Sequence, residues 1–314
     1  MKALAKLKLF IKERVILMTI QNVVVAGGGV LGSQIAYQTA LKNFHVTLYD
    51  ISDESITRSK KRVDSLFPDY QADTGLTEEK FAAGLKNLNF STNLANAVQN
   101  ADLVIEAIPE KLEIKQAFYQ QLSKVAPDKT IFASNSSTLT PSMMVKDVDR
   151  PAKFVNLHFA NRIWLFNTAE IMGTPQTAPD TIETLTKFAR AIGMVPIILK
   201  KEQPGYVLNS LLVPFEIAAL KLWATGIADA STIDKDWIIS TGAKMGPMAT
   251  MDIIGLRTPY YVGLEYLKTH DDPVSKLTMQ KMKEMIDAGH SGKDDGQGFY
   301  HYPNPEYLDP NFLK

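Results

Sequence analysis

The 314-residue chain contains no cysteine. Disulfides, thiolate nucleophiles and zinc–cysteine centres are therefore excluded, and no metal is expected. Neither sign of charge is in surplus: 34 Lys and Arg stand against 34 Asp and Glu. A nucleic-acid partner is not expected, because neutralising phosphates takes a basic excess. No apolar run approaches the roughly 18 residues that a membrane span needs, so no membrane partner is expected either. Histidine is scarce, with five in all, which narrows the choice of a general base. What is present is ordinary for a folded chain: 45% of residues are hydrophobic and 22% charged, a balance that argues against disorder. At about 150 residues per domain, the length favours two domains.

Residues 1–18 carry five basic residues and one acid. Lys8 and Lys12 interrupt the apolar stretch, which a secretory signal does not tolerate, and serine is missing, which a transit peptide favours. Met18 stands just before Thr-Ile-Gln-Asn and an apolar strand, as a natural start does. The segment is therefore expected to be an extension that is not native to the working protein, which would be cytoplasmic.

From Val23 to Ala26 a short β-branched run leads into Gly27-Gly28-Gly29. A helical pattern follows over Leu31–Lys42, then a strand over His45–Tyr49, a βαβ unit of about thirty residues. Helices are expected over Ile56–Leu66, Glu78–Leu88, Lys111–Val125 and Ala178–Ile192. Buried strands are expected over Leu103–Ile108, Thr130–Ala133, Phe154–Leu157 and Val195–Leu199, with a short extended segment at Ala169–Met172. Strands alternating with helices predict a parallel or mixed sheet with both faces covered. Near Lys200–Gly205 the pattern changes. Helical periodicity takes over at Tyr206–Ala224, Thr232–Ser240, Pro259–Lys268 and Val274–Ala288, with no convincing strand. The expected fold is an α/β Rossmann-type dinucleotide-binding domain over residues 19–200, followed by an all-helical domain over 201–314.

Gly27, Gly29 and Gly32 form G-x-G-x-x-G, with Val30 and Leu31 between the last two. The motif follows a strand, opens a helix, and is followed at the end of the second strand by Asp50. In that context it is a dinucleotide fingerprint. Gly27 allows the tight turn, Gly29 lets backbone approach a pyrophosphate, and Gly32 lets the helix pack on the sheet. The helix N-terminus offers N–H groups and partial positive charge to the phosphates. Asp50 is suited to accept hydrogen bonds from the adenosine ribose, and its charge repels a 2′-phosphate. The expected cofactor is NAD, not NADP.

Ser134 to Thr138 places hydroxyls at the C-terminal end of a strand, where open α/β sheets bind ligands. His158 ends the next strand, and Glu170 follows in the extended segment. Two neighbouring strands would bring imidazole and carboxylate together, as a general base with an orienting partner.

Here the residues resemble a known family, the short-chain L-3-hydroxyacyl-CoA dehydrogenases, 3-hydroxybutyryl-CoA dehydrogenases included. The stretches that carry the resemblance are VVVAGGGVLGSQIA, DLVIEAIPEKLEIK, IFASNSSTL, HFANR with Glu170, PGYVLNSLLVPF, GPMATMDIIGL and GQGFYHY. They run from about Ile20 to Tyr302. The resemblance implies that His158 is the catalytic base, that Glu170 orients it, and that Ser137 bonds the reacting oxygen of the substrate. It implies that Asn209, in the first turn of the helix after Pro204-Gly205, reaches the same cleft. Glu110 and Lys115 match positions near the nicotinamide end of NAD, and Asn161 matches a cofactor contact. The implied substrate is a short acyl-CoA, with Arg58 and Lys61 (beside Lys60 and Arg62) on a basic helix as contacts for its phosphates, and Lys293 as a further possible contact. The family is commonly dimeric through its helical domain, so a homodimer is expected.

The chain departs from the family pattern after the base, where His-Phe-Phe-Asn-Pro becomes His158-Phe159-Ala160-Asn161-Arg162. A Lys common before the Glu is Asn167, and the Arg after the interdomain Asn is Ser210. Two rivals follow. One is a dehydrogenase of a free 3-hydroxy acid, with Arg162 pairing the substrate carboxylate. The other is a catalytically silent NAD-binding protein.

Overall fold

The computed structural model describes residues 19–314, and the expected extension at 1–18 lies outside them. The chain divides into two compact units, the first ending at Val207 and the second spanning Leu208–Lys314.

The first unit is built on one sheet of β1 (Asn22–Ala26), β2 (His45–Tyr49), β3 (Leu88–Ser91), β4 (Leu103–Glu106), β5 (Ile131–Ser134), β6 (Phe154–Phe159), β7 (Thr168–Gly173) and β8 (Val195–Ile198). The strand order is β3-β2-β1-β4-β5-β6-β7-β8. Every neighbouring pair is parallel except β6 and β7, which are antiparallel. Order reverses between β1 and β4, so the crevice for a ligand opens there, beyond the strand C-termini.

Among the described residues, seven α-helices accompany the sheet: α1 (Val30–Leu41), α2 (Asp53–Asp64), α3 (Phe67–Thr74), α4 (Glu78–Leu85), α5 (Leu94–Val98), α6 (Leu112–Val125) and α7 (Pro179–Ala191). Side chains alternate between two cores, as the period of a strand requires. Val23, Val25, Leu103 and Ile105 pack with Ile35, Tyr37, Phe81, Leu185 and Phe188 on one face. Val24, Ala26, Val104 and Phe132 pack with Phe118, Tyr119 and Leu122 on the other. Burial on both faces explains why these strands read as continuous apolar runs.

The second unit comprises α8 (Leu208–Ala224), α9 (Ala230–Thr241), α10 (Pro247–Ile254), α11 (Arg257–Leu267) and α12 (Pro273–Asp287). Its core joins Leu220, Ile233, Met248, Met251, Met279, Met282 and Tyr300. The chain is thus a Rossmann-type α/β unit followed by a helical one. Among the described residues, no helix is long and apolar enough to cross a membrane, and no group of residues has the make-up of a metal site.

Local differences from the expected elements have physical causes. The helix expected over Glu78–Leu88 ends at Leu85, and Leu88 instead opens β3. β3 is a four-residue edge strand, Leu-Asn-Phe-Ser, and its two apolar positions are too few to stand apart from the helical pattern just before them. β4 stops at Glu106 rather than Ile108, because the chain turns there against the glycine loop. α10 follows Gly246-Pro247, which reads as a turn, yet Pro is favoured in a first helical turn. Asp234 of α9 caps it by accepting the Met248 and Ala249 N–H groups at 2.8 and 2.9 Å.

Glu216 lies in α8 with its side chain buried and Oε1 without a hydrogen-bond partner among the described residues. Burial pushes its carboxyl up to about 7. The folded state therefore holds this proton more tightly than the unfolded chain, where a glutamate titrates near 4.3. Its burden on stability is absent below about pH 4, grows between about pH 4 and 7, and is complete above that. Glu216→Gln is expected to leave the thermal midpoint almost unchanged at pH 4 and to raise stability by roughly 2 kcal/mol at pH 8. Calorimetry at the two pH values checks this, and an equal effect at both would contradict it.

Candidate active site

The glycine loop is shaped by contacts within the chain at three of its four glycines. Gly27 has φ 99°, and a Cβ there would lie 2.5 Å from the Ala107 carbonyl oxygen. A Cβ on Gly32 would lie 1.9 Å from the Gly27 oxygen, so α1 packs directly on the turn. Gly28, outside the fingerprint, is equally constrained, since its Cβ would strike the Ser59 hydroxyl. Its carbonyl accepts bonds from Ser33, Ser59 and Arg62, each at 3.1 Å. Gly29 is different, because a Cβ there would meet nothing within 4 Å. No contact among the described residues demands this glycine, and the open space above it suits the approach of a pyrophosphate.

The first bond of α1 runs from Ser33 N–H to the Gly29 carbonyl at 3.0 Å. The preceding N–H groups, of Val30, Leu31 and Gly32, belong to the helix end and point toward the loop. Asp50, after β2, accepts from Gly28 N–H at 2.9 Å and Ile51 N–H at 2.8 Å. Its carboxylate is thus fixed at the rim of the loop, half-buried. The open cradle, the helix end and the rim carboxylate together fit a dinucleotide of the NAD type.

Farther along the sheet, the reversal of β7 sets Glu170 directly opposite His158. Facing residues of an antiparallel pair project to the same side, and His158 Nδ1 lies 3.0 Å from Glu170 Oε2. Both side chains are buried, at 5% and 3% exposure. A carboxylate only accepts, so Nδ1 carries the proton and Nε2 presents its lone pair. That lone pair faces Ser137 Oγ at 3.1 Å. The second Glu170 oxygen accepts Val207 N–H at 3.0 Å. Asn135 Oδ1 accepts Phe159 N–H at 3.0 Å and ties the end of β5 to the end of β6. Serine, imidazole and carboxylate thus form one hydrogen-bonded line; the strand ends suggest the His158–Glu170 pair, and the family resemblance implies Ser137.

The loop carrying Ser137 is held from below. Glu110 Oε1 accepts Ser137 N–H at 3.0 Å, Thr138 N–H and Oγ1 at 2.9 Å, and the Ser136 hydroxyl. Burial opposes ionisation of Glu110, but the Ser136 hydroxyl, Lys115 and the Thr138 donors outweigh it and hold the carboxyl at about 2. Lys115 is 1% exposed and its ammonium bridges Glu106 at 2.5 Å and Glu110 at 3.2 Å. Tyr119 and Ser134 hydroxyls complete the shell of Glu106. Lys115 therefore lies beneath the site as a support for Glu110, and its ammonium is occupied within the chain.

Glu106 and Tyr206 were not anticipated as site residues, and Ser136 and Thr138 only as members of the hydroxyl-bearing stretch. Glu106 was detectable in principle: an acid at the end of the apolar stretch Leu103–Ile105 requires a buried partner. Tyr206 carried no such signal.

The remaining candidates fall as follows. Asn161 is exposed in the turn after β6. Arg58, Lys60 and Lys61 face outward on α2; Arg58 bonds Ser55, and Lys60 lies over the Phe90 ring. Arg62 instead reaches the Gly28 carbonyl. Asn209 is the second residue of α8, in its first turn, and Lys293 is exposed on a 3₁₀ turn. Arg162 does not stand ready for a substrate carboxylate. Its guanidinium is paired with Asp73 of α3, which also accepts Trp164 Nε1–H at 2.7 Å.

Residues 22–203 match the 3-hydroxyacyl-CoA dehydrogenase NAD binding domain, and residues 205–302 match the C-terminal domain of the same family. The chain is 34% identical over 291 residues to the mitochondrial hydroxyacyl-coenzyme A dehydrogenase of Rattus norvegicus, covering 90% of this chain and 91% of the relative. The Sus scrofa enzyme is 32% identical over 294 residues at the same coverage. Among solved structures, a diketoreductase with substrate-directed dual catalysis of dicarbonyl compounds is 48% identical, with a TM-score of 0.84, covering 91% of this chain and all of that one. The (S)-3-hydroxybutyryl-CoA dehydrogenase of Ralstonia eutropha is 28% identical, with a TM-score of 0.76 and the same coverage. With both domain matches in order around a serine–histidine–glutamate line and a dinucleotide loop, the chain belongs to the NAD-dependent 3-hydroxyacyl-CoA dehydrogenase family.

Proposed function

We propose that the chain interconverts the 3-hydroxy and 3-oxo forms of a short-chain acyl-CoA. The observation that carries this reading is the Ser137–His158–Glu170 line beyond the sheet's C-terminal ends, with bonds of 3.1 and 3.0 Å. In the oxidative direction, His158 Nε2 takes the proton of the 3-hydroxyl while hydrogen leaves C3 with its electron pair. NAD supplies the acceptor for that hydride. Ser137 Oγ donates to the reacting oxygen, and Glu170 faces the imidazolium that forms and holds its orientation. Asn209 is proposed as a further bond to the same oxygen. Glu110 keeps Ser137 in place, and Asn161 is proposed to contact the cofactor. Arg58 and Lys61 are proposed to meet the CoA phosphates.

A second reading concerns the carrier of the 3-oxo group. The 48% identity to a diketoreductase, over that enzyme's whole length, favours a dicarbonyl compound that is not a thioester. The pairing of Arg162 with Asp73 removes the group that would have selected a free carboxylate, while a dicarbonyl needs no such partner. The intact hydrogen-bonded line argues against a catalytically silent protein.

We also propose a homodimer through the helical unit, acting in the cytoplasm. The unit exposes Leu211, Ile227, Ile239 and Tyr261 at 60–72%, apolar side chains that a second copy would cover. Light scattering is expected to give about twice the 34.9 kDa chain mass, and a monomer would contradict the dimer.

The central test is NADH oxidation with acetoacetyl-CoA beside a dicarbonyl ester of an ordinary alcohol. Turnover of the thioester supports the leading reading. Turnover of the ester alone moves the assignment to the second. In either case His158→Ala is expected to lower kcat by at least about 10²-fold with NADH binding unchanged, and equal activity would remove His158 from the mechanism.

A further inference from the structure

Two hydrogen bonds hold the His158 ring, one at Nδ1 and one at Nε2. They fix the position of the two nitrogens. They leave the ring free to tilt about the line joining its ends, and the direction of the Nε2 lone pair moves with any displacement of that line. A third constraint must come from a ring face.

Tyr206 supplies one. Its ring stacks on the imidazole with centroids 4.5 Å apart and planes 11° from parallel. The side chain is buried, and its hydroxyl donates to the Ser136 carbonyl at 2.6 Å. The same side chain therefore braces the base and the loop that presents Ser137. The neighbours extend the pattern: Gly205 N–H donates to the Ser137 carbonyl at 3.2 Å, and Val207 N–H to Glu170 Oε1 at 3.0 Å. Three consecutive residues thus hold all three members of the line. Tyr206 does so with φ 54°, in the left-handed region that a side chain enters at a cost. A backbone that suits glycine carries a large aromatic here, so the ring itself is what the position retains.

We propose that Tyr206 is a positioning residue for the proton-transfer step, setting the plane of His158 and its register with Ser137. The proposal rests on the dehydrogenase reading above. The phenol face also attracts the imidazolium that forms when His158 takes a proton. Tyr206→Phe keeps the flat face and loses the anchor on Ser136. Tyr206→Leu keeps apolar cover and loses the flat face.

The experiment compares both variants with the native chain in kcat, KM for the ketone and for NADH, and the isotope effect with NADH deuterated at the transferred position. Tyr206→Phe is expected to stay within about threefold of native kcat. Tyr206→Leu is expected to lose roughly 10- to 100-fold in kcat, with KM for NADH within about twofold and a larger isotope effect as the hydride step becomes limiting. A folded Leu variant with native kcat and isotope effect would overturn the proposal. Should that variant not fold, Tyr206→Met removes the flat face in the same way and is read by the same outcomes. Failure of the dehydrogenase reading shows separately, as a native chain without NAD-linked turnover. The nitrogen NMR spectrum of the ligand-free protein then decides. The Nδ1–H tautomer stays in all chains because Glu170 sets it; sharp His158 ring signals in the native and Phe chains, and signals broadened by exchange between ring orientations in the Leu chain, support positioning, and identical spectra overturn it.

Discussion

One reversal of strand direction sets the chemistry of this site. A parallel neighbour of β6 would offset its side chains from His158. The antiparallel β7 instead puts Glu170 straight across from His158, at a separation that side chains bridge without stretching. Both groups are buried, where an unpaired carboxylate is costly. The ring N–H and the Val207 N–H between them satisfy both oxygens of Glu170. The register of two strands thereby fixes which imidazole nitrogen holds a proton, and so which one is free to accept another.

The serine side obeys the same economy of buried charge. Glu110 gathers the donors of Ser136, Ser137 and Thr138, and Lys115 joins it to Glu106 beneath the sheet ends. Loop backbone is thus ordered by a carboxylate, and that carboxylate by an ammonium almost closed to water. Removing one member of such a set leaves an uncompensated charge, which costs far more than the set contributes. A loop that must hold a hydroxyl within bonding distance of His158 is made rigid in this way, without regular secondary structure of its own.

Much of this was legible in the chain itself. The glycine loop, its helix and Asp50 stood out because each obeys a steric or electrostatic rule local to a few residues. His158 and Glu170 were legible as strand residues, although the antiparallel pairing that joins them was not. The edge strand β3 escaped because its alternation lasts only four residues and directly follows a helical pattern. Gly28 escaped because its constraint is the Ser59 side chain on α2, distant in sequence. Arg162 was misread for the same reason: nothing near it in sequence announces Asp73. Tyr206 follows Pro204-Gly205, which signals a turn and says nothing of the imidazole it covers. Local rules show up in a sequence, whereas partners brought together by topology do not.

The most direct test of the account is the single-turnover rate of hydride transfer in Glu170→Gln, followed as NADH absorbance in a stopped-flow instrument. The amide keeps the shape of the carboxylate and removes the charge that faces the imidazolium. The account predicts a fall of at least about 10²-fold with NADH affinity unchanged. A rate within about threefold of the native chain would contradict it.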